Sequence, residues 1–313
     1  MRLNAEGSHG SGRARPEVLR LGHSLCACVS RGFEFRSFTI LQFRTCAAAL
    51  ILCLTTLFAQ ELPELKNSAI HPLPVGYKFP DTQRLVFEAE WRLFNAGTAV
   101  LEISSNGGQQ HVHGTADSSG AISLLFKVRD RFDSWFDSRS LCSTRIIKHT
   151  EEGRHRRDTQ ISFDYKRGQA VLDETNLKTN ERKHEENAVP GCATDVLSGV
   201  FYGATLPLTV GDQYTFPLND GNKTVDVIVH VEAREDVKTP LGTYHTIRVQ
   251  PEPASGPLRQ KGKIWVWYTD DGQHTPVQVR GRMYWGNLNL SLVRIEKVIP
   301  TSVSAAPPAP SKP

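Results

Sequence analysis

The sequence predicts a mainly β fold, a curved antiparallel sheet closing into a barrel or half-barrel, with one short helix around residues 194–204. Three observations carry that prediction. Apolar and polar residues alternate at every second position through much of residues 81–299, turn-forming clusters separate these stretches, and helical spacing occurs in one place. Roughly a dozen short strands in one sheet would leave long unpaired edges unless the sheet curled or closed.

The first strand is the clearest. Leu85, Phe87, Ala89, Trp91 and Leu93 alternate with Arg84, Val86, Glu88, Glu90 and Arg92, which puts one face on a core and the other largely in water. Asn95-Ala96-Gly97 tolerates positive φ and is expected to turn the chain into a second strand, Thr98 to Ser104. Ile161, Phe163 and Tyr165, the turn Lys166-Arg167-Gly168 and Ala170 to Asp173 form a further hairpin. Thr194 is a candidate N-cap for a helix whose Val196, Leu197, Val200 and Phe201 share one side, suited to lie on the sheet or plug one end. Asn219-Asp220-Gly221-Asn222 then joins Gln213–Leu218 to Thr224–Ala233. Thr239-Pro240-Leu241-Gly242 starts another turn, and Thr243–Gln250, Lys263–Tyr268, Pro276–Tyr284 and Asn287–Val298 complete the run.

Upstream of the domain, Thr45 to Phe58 is an uncharged apolar run of 14 residues, preceded by Arg36 and Arg44 and followed by Ala59. This matches a secretory signal, although Leu57 stands where a small residue is usual before cleavage. The run is shorter than the roughly 20 residues of a permanent span, so no membrane span is expected after cleavage, with an uncleaved anchor as the alternative. Cys46 and Cys53 follow Thr45 and Leu52, which does not suit a lipoprotein signal. Residues 1–35 are accordingly expected to be a spurious or disordered extension and 36–59 the signal peptide. Residues 60–80, with Pro63, Pro72, Pro74 and Pro80, read as an extended linker, 81–299 as the β-rich domain, and 300–313 as a disordered Pro/Ala/Ser tail. The expected location is periplasmic or secreted.

Seven Arg and three Glu fall within residues 1–59 and account for the net charge of +4, leaving thirty residues of each sign in the remainder. A domain with no net charge exerts no overall pull on phosphate backbones or anionic lipid, so nucleic acid is not an expected partner. Six cysteines reduce to Cys142 and Cys192 once the leader is removed. In an oxidising compartment the pair suggests a disulfide closing a loop of about 50 residues, for a gain of about 3 to 4 kcal/mol. Two unrelated buried thiols are the alternative.

Catalytic motifs are not apparent. His111 and His113, at i and i+2, could share a metal, but no third ligand stands at a recognisable spacing. Asp270-Asp271-Gly272 reads as a hairpin turn rather than a calcium loop, and His184-Glu185-Glu186 lacks the second His of a metalloprotease helix. Ser198 lacks the nucleophile-elbow spacing, and no phosphate-binding or cofactor loop is visible. The aromatic residues are more suggestive. Trp91, Trp265, Trp267, Tyr284 and Trp285 either fill a core or line an apolar groove for a hydrophobic ligand.

The ordered set of the Asn95-Ala96-Gly97 hairpin, Asp195-Val196-Leu197-Ser198 with Phe201-Tyr202, Thr239-Pro240-Leu241-Gly242-Thr243-Tyr244, and Ile264-Trp265-Val266 with Asp270, Asp271 and Pro276-Val277 resembles the DUF3108 family of bacterial exported proteins. Gly203 departs from the longer aromatic and basic continuation expected after the helix. The resemblance implies an envelope location and a β-rich domain, and it supplies no catalytic residue or cofactor. A looser similarity, to periplasmic half-barrels that carry lipid or lipoprotein, is one of architecture alone. The expectation is therefore a non-enzymatic envelope protein holding an apolar ligand such as a lipid or a lipoprotein acyl chain. The alternatives are a structural or protein-interaction module and, third, a hydrolase with a dispersed site.

Overall fold

A computed structural model describes residues 69–92, 94–254, 262–283 and 286–297, all within one compact unit, Leu65–Pro313. The expected extension, signal peptide and C-terminal tail lie outside the described residues.

The fold is mainly β. Its strands are β1 (Thr82–Trp91), β2 (Phe94–Asn106), β3 (Gln109–Ser118), β4 (Arg129–Asp137), β5 (Ser143–Glu152), β6 (His155–Asp164), β7 (Gln169–Asn176), β8 (Arg182–Ala188), β9 (Gln213–Asn219), β10 (Thr224–Thr239), β11 (Gly242–Pro253), β12 (Gly262–Thr269), β13 (Pro276–Met283) and β14 (Gly286–Glu296). Helix α1 (Gly120–Leu125) follows β3, and α2 (Val196–Gly203) follows β8. The strands form one 14-stranded sheet, antiparallel throughout, in the order β8-β7-β6-β5-β4-β3-β2-β1-β14-β13-β12-β11-β10-β9. Two meanders, β1 to β8 and β9 to β14, are thus joined through β1 and β14.

The sheet is a half-barrel rather than a closed barrel, because β8 and β9 remain its edges. The chain between them supplies a seam. Thr194 bridges Leu218 in parallel, its N–H donating to the Pro217 carbonyl at 2.9 Å and its carbonyl accepting from Asn219 N–H at 2.8 Å. Asn219 Nδ2 donates to Asn187 Oδ1 at 2.7 Å, and Asn187 Nδ2 to the Gly221 carbonyl at 2.8 Å. These bonds occupy backbone groups that an open edge would leave unpaired.

Helix α2 packs against β3, β4 and β9. Its N-cap is Asp195 rather than Thr194, and its buried residues are Ser198, Phe201, Tyr202 and Gly203, while Val196 faces solvent. The buried face is therefore rotated from the expected one, because Ser198 is drawn inward by the capping box. The Tyr268 hydroxyl donates to the Val200 carbonyl at 2.7 Å. A Cβ on Gly203 would lie 2.8 Å from that hydroxyl oxygen, so glycine here lets the helix approach β12. Beneath the helix, the buried Asp195 carboxylate accepts from Ser134 and Ser143 hydroxyls, both at 2.6 Å, and from the N–H of Leu197 at 2.8 Å and of Ser198 at 3.1 Å. Cys142 is bonded to Cys192, beside the hydrogen bond from Ser143 N–H to the Ala193 carbonyl at 2.9 Å.

Three local expectations are corrected. The first hairpin closes between Trp91 and Phe94, with Arg92 at φ +60°, and Asn95-Ala96-Gly97 lies inside β2. There Ala89 pairs with Gly97 and Glu90 with Asn95, so Ala96 is the extra residue of a bulge. Second, α1 joins α2 where one helix was expected. Third, the described part of the linker is a strap: Phe79 is buried, and Ile70, Leu73 and Tyr77 pack against the main core. His71 N–H donates to the Tyr202 hydroxyl at 3.0 Å. The folded unit thus extends upstream of residue 81.

Candidate functional site: an apolar cavity under helix α1

Strand register builds the site. Leu288 pairs with Trp91, Leu290 with Ala89, Ala89 with Gly97, Gly97 with Ser118, and Ala99 with Ala116. Directly paired residues share a face of a sheet, so these positions form one patch across β14, β1, β2 and β3. One row further along, Leu101 pairs with Gly114, where a Cβ would touch Leu197 of α2 at 3.5 Å. The patch therefore lies on the concave, helix-bearing face, beyond the reach of α2. Its Ala89, Ala96, Ala99 and Ala116 are too small to fill the space that larger side chains occupy elsewhere. Gly97 allows β2 and β3 to come together, since a Cβ there would lie 2.0 Å from the Asp117 carbonyl oxygen.

The result is a cavity of about 750 Å³, floored by those alanines, walled by Trp91, Leu288 and Leu290, and roofed by Ile122, Leu125 and Phe126 at α1. Pockets of a few hundred to a thousand Å³ with apolar walls and few polar groups are the usual form of small-molecule sites. The roof is held lightly: no residue of α1 is buried and Ser119, its N-cap, makes no side-chain capping bond. Phe126 packs over the β5–β6 turn, where a Cβ on Gly153 would approach its ring at 2.7 Å.

Charge is confined to one rim. Asp117 and Glu152 reach the cavity, and Arg131 holds Asp117 at 3.0 Å. Asp130 pairs with Ala116, so its side chain is on the cavity face. Burial, with the nearby Glu152 carboxylate, pushes its pKa up to about 6, against the hydrogen bond it accepts from Glu151 N–H. The Trp91 indole Nε1 is buried without a hydrogen-bond partner among the described residues.

Of the five aromatic residues expected to bind ligand, Trp91 lines this cavity, and Tyr284 and Trp285 lie outside the described side chains. Trp265 and Trp267 do not line it: Trp267 is buried, and Trp265 packs beside it, in a hydrophobic cluster with Leu85, Phe87, Val237, Val277 and Leu292. The two tryptophans border a separate, polar hollow of about 440 Å³ with Glu232, Arg248, Arg280 and Arg282. Trp267 Nε1 donates to Glu235 at 2.6 Å, Arg280 stacks 5.2 Å above its ring, and Arg248 bridges Glu232 and Glu235. The aromatic set therefore does not form one greasy surface. The residues that sequence reasoning missed are the alanines and α1. Their signals were small residues at alternate positions and the run Ile122-Ser123-Leu124-Leu125-Phe126.

The other candidates have local roles. His111 and His113 share a face as expected, and both bond Asp133 Oδ1, at 2.8 and 2.9 Å, while His111 stacks on Trp135. No group of three such side chains among the described residues is arranged to hold a metal. Asp271 accepts from Gln273 and His274 N–H in a turn, and Asp270 pairs with Arg234. His184 pairs with Asp173 across strands. Asp195 and Ser198 do converge, as buried members of the capping network.

Three solved structures match the chain at low identity. A β-barrel-like protein of a domain of unknown function, DUF1849, from Brucella abortus is 10% identical, with 69% of this chain and 98% of that chain covered at a TM-score of 0.49. A protein with a YmcC-like fold from Bacteroides fragilis is 10% identical, covering 74% and 100%, at 0.26. The hypothetical protein CT021 from Chlamydia trachomatis is 11% identical, covering 75% and 94%, at 0.23. No curated protein matches the chain. The profile of DUF3108, described as a protein of unknown function, matches residues 86–293, and the chain belongs to that family.

Proposed function

We propose that the protein is an exported, non-enzymatic envelope protein that holds an apolar ligand, a lipid or the acyl part of a lipoprotein, between α1 and the β14-β1-β2-β3 end of the half-barrel. The support is the cavity itself, about 750 Å³ with an alanine floor and an aliphatic roof. Each methylene transferred from water to such a surface contributes about 0.8 kcal/mol. Some ten methylenes therefore supply about 8 kcal/mol before the cost of association, enough for an acyl chain without a dedicated polar anchor. Charge is confined to the rim, so the uncharged interior suits the acyl chain and leaves the polar headgroup at the mouth.

The test is binding of a fluorescent fatty acid to the purified protein, compared with Ala116→Phe. Ala116 lies on the cavity floor and is partly exposed, so the larger ring has room to enter. Wild type is expected to bind in the micromolar range, and the variant at least about tenfold more weakly with unchanged folding. Absence of binding by wild type, or equal binding by Ala116→Phe, removes the proposal and leaves an interaction module as the better reading.

A further inference from the structure

We infer that the α1 tip and the adjoining β5–β6 hairpin form a docking surface for an anionic lipid bilayer. Leu124, Leu125 and Phe126 are consecutive and 88%, 81% and 51% exposed. Isolated exposed apolar residues are ordinary on protein surfaces, whereas a contiguous protruding group needs a partner. Neither end of α1 carries a charge, with no acidic residue in its first turn and no basic residue in its last.

Charge surrounds the tip instead. Lys127 and Arg129 follow it directly, and Arg154 and Arg156 stand on the neighbouring hairpin; all four are exposed. The hairpin is held to the tip by Gly153 N–H donating to the Lys127 carbonyl at 2.7 Å. The acidic residues here are Asp117, opposite Arg129 and held by Arg131 at 3.0 Å, Glu151, within electrostatic reach of Arg156, Arg129 and Lys127, and Glu152, which lines the cavity. With Arg131 included, the collar carries five cations against three carboxylates. An apolar tip within a cationic collar is the arrangement of an interfacial segment, with the apolar part entering the acyl boundary and the cations meeting anionic headgroups.

A bilayer is favoured over a protein partner by area. Three side chains of this size offer roughly 500 Å², below the roughly 800 Å² that each partner of a standard protein interface contributes, whereas a lipid surface needs no shape complement. Leu125 and Phe126 also roof the cavity, so docking places its mouth against the lipid. Only this last step rests on the proposed ligand; docking itself rests on the tip and its collar.

The experiment is co-sedimentation of the purified protein with phosphatidylcholine vesicles containing or lacking phosphatidylglycerol. Wild type is expected to bind the anionic vesicles, about tenfold less tightly without phosphatidylglycerol or in high salt. Leu124 does not line the cavity. Leu124→Glu is expected to lose at least about tenfold in vesicle affinity and to retain fatty-acid binding. Lys127→Glu combined with Arg129→Glu should abolish the preference for phosphatidylglycerol. Ala116→Phe should bind vesicles as wild type does, so that failure of the ligand proposal and failure of docking are read separately. Wild type that ignores both vesicles, or Leu124→Glu that binds as wild type, overturns the inference.

Discussion

Replacing Asp195 separates the two tasks of one buried carboxylate. Oδ1 accepts the Leu197 and Ser198 N–H groups and caps α2, while Oδ2 accepts the Ser134 and Ser143 hydroxyls of β4 and β5. Asp195→Ala removes both. Loss of a helix cap costs about 1 kcal/mol, and a buried bond to a charged acceptor about 1.5 to 3 kcal/mol. Since Ser143 can still bond Ser198, at 2.8 Å, the total is about 4 kcal/mol rather than the full sum. Asp195→Asn keeps an oxygen for the cap and loses mainly the hydroxyl side, for about 2 kcal/mol. Urea unfolding followed by tryptophan fluorescence gives both values. A cost below about 1 kcal/mol for Asp195→Ala, or an Asn variant as costly as Ala, refutes this account of how α2 is fixed inside the sheet.

Asp130→Asn tests the polar rim. Because the folded-state pKa, about 6, exceeds the usual 3.8, the stability that Asp130 contributes is fully present below pH 4 and lost as pH rises toward 6. The Asn variant should therefore exceed wild type by about 1 to 3 kcal/mol at pH 7.5 and match it near pH 4; a difference independent of pH counts against the assignment. Replacing Cys142 and Cys192 together by Ser should lower unfolding stability by about 3 to 4 kcal/mol under oxidising conditions, with no further loss when reductant is added. A full additional loss on reduction would place the cross-link elsewhere.

The strands were legible where their chemistry is local. β1 alternates cleanly because one face meets a continuous core, and the Asp220-Gly221 and Pro240-Leu241 connections sit where their turn residues suggested. Legibility failed where tertiary contacts override local rules. Asn95-Ala96-Gly97 has the composition of a turn, yet the chain reverses at Arg92, a residue with no preference for positive φ, and the glycine serves a close strand approach instead. Prolines around the strap concealed that Phe79 and Tyr77 enter the core. α1 is six residues long without a side-chain cap, below the length at which periodicity is informative.

The site was harder still, since a cavity is made by what is missing. Alanines at 89, 99 and 116 carry little hydrophobic signal, while the tryptophans that drew attention are amphipathic. Trp267 meets Glu235, 32 positions away, a partner that spacing does not reveal. The family and the β architecture could be read from ordered short motifs; the position of the empty end could not, because it depends on how far α2 reaches along the sheet.

Diffraction from crystals grown with a fatty acid brominated along its chain locates the ligand directly through bromine's anomalous scattering. The account predicts a peak between the Ala116 floor and the Phe126 roof. A peak beside Trp265 and Arg280, or saturating fatty acid that leaves the alanine-floored space empty, contradicts it.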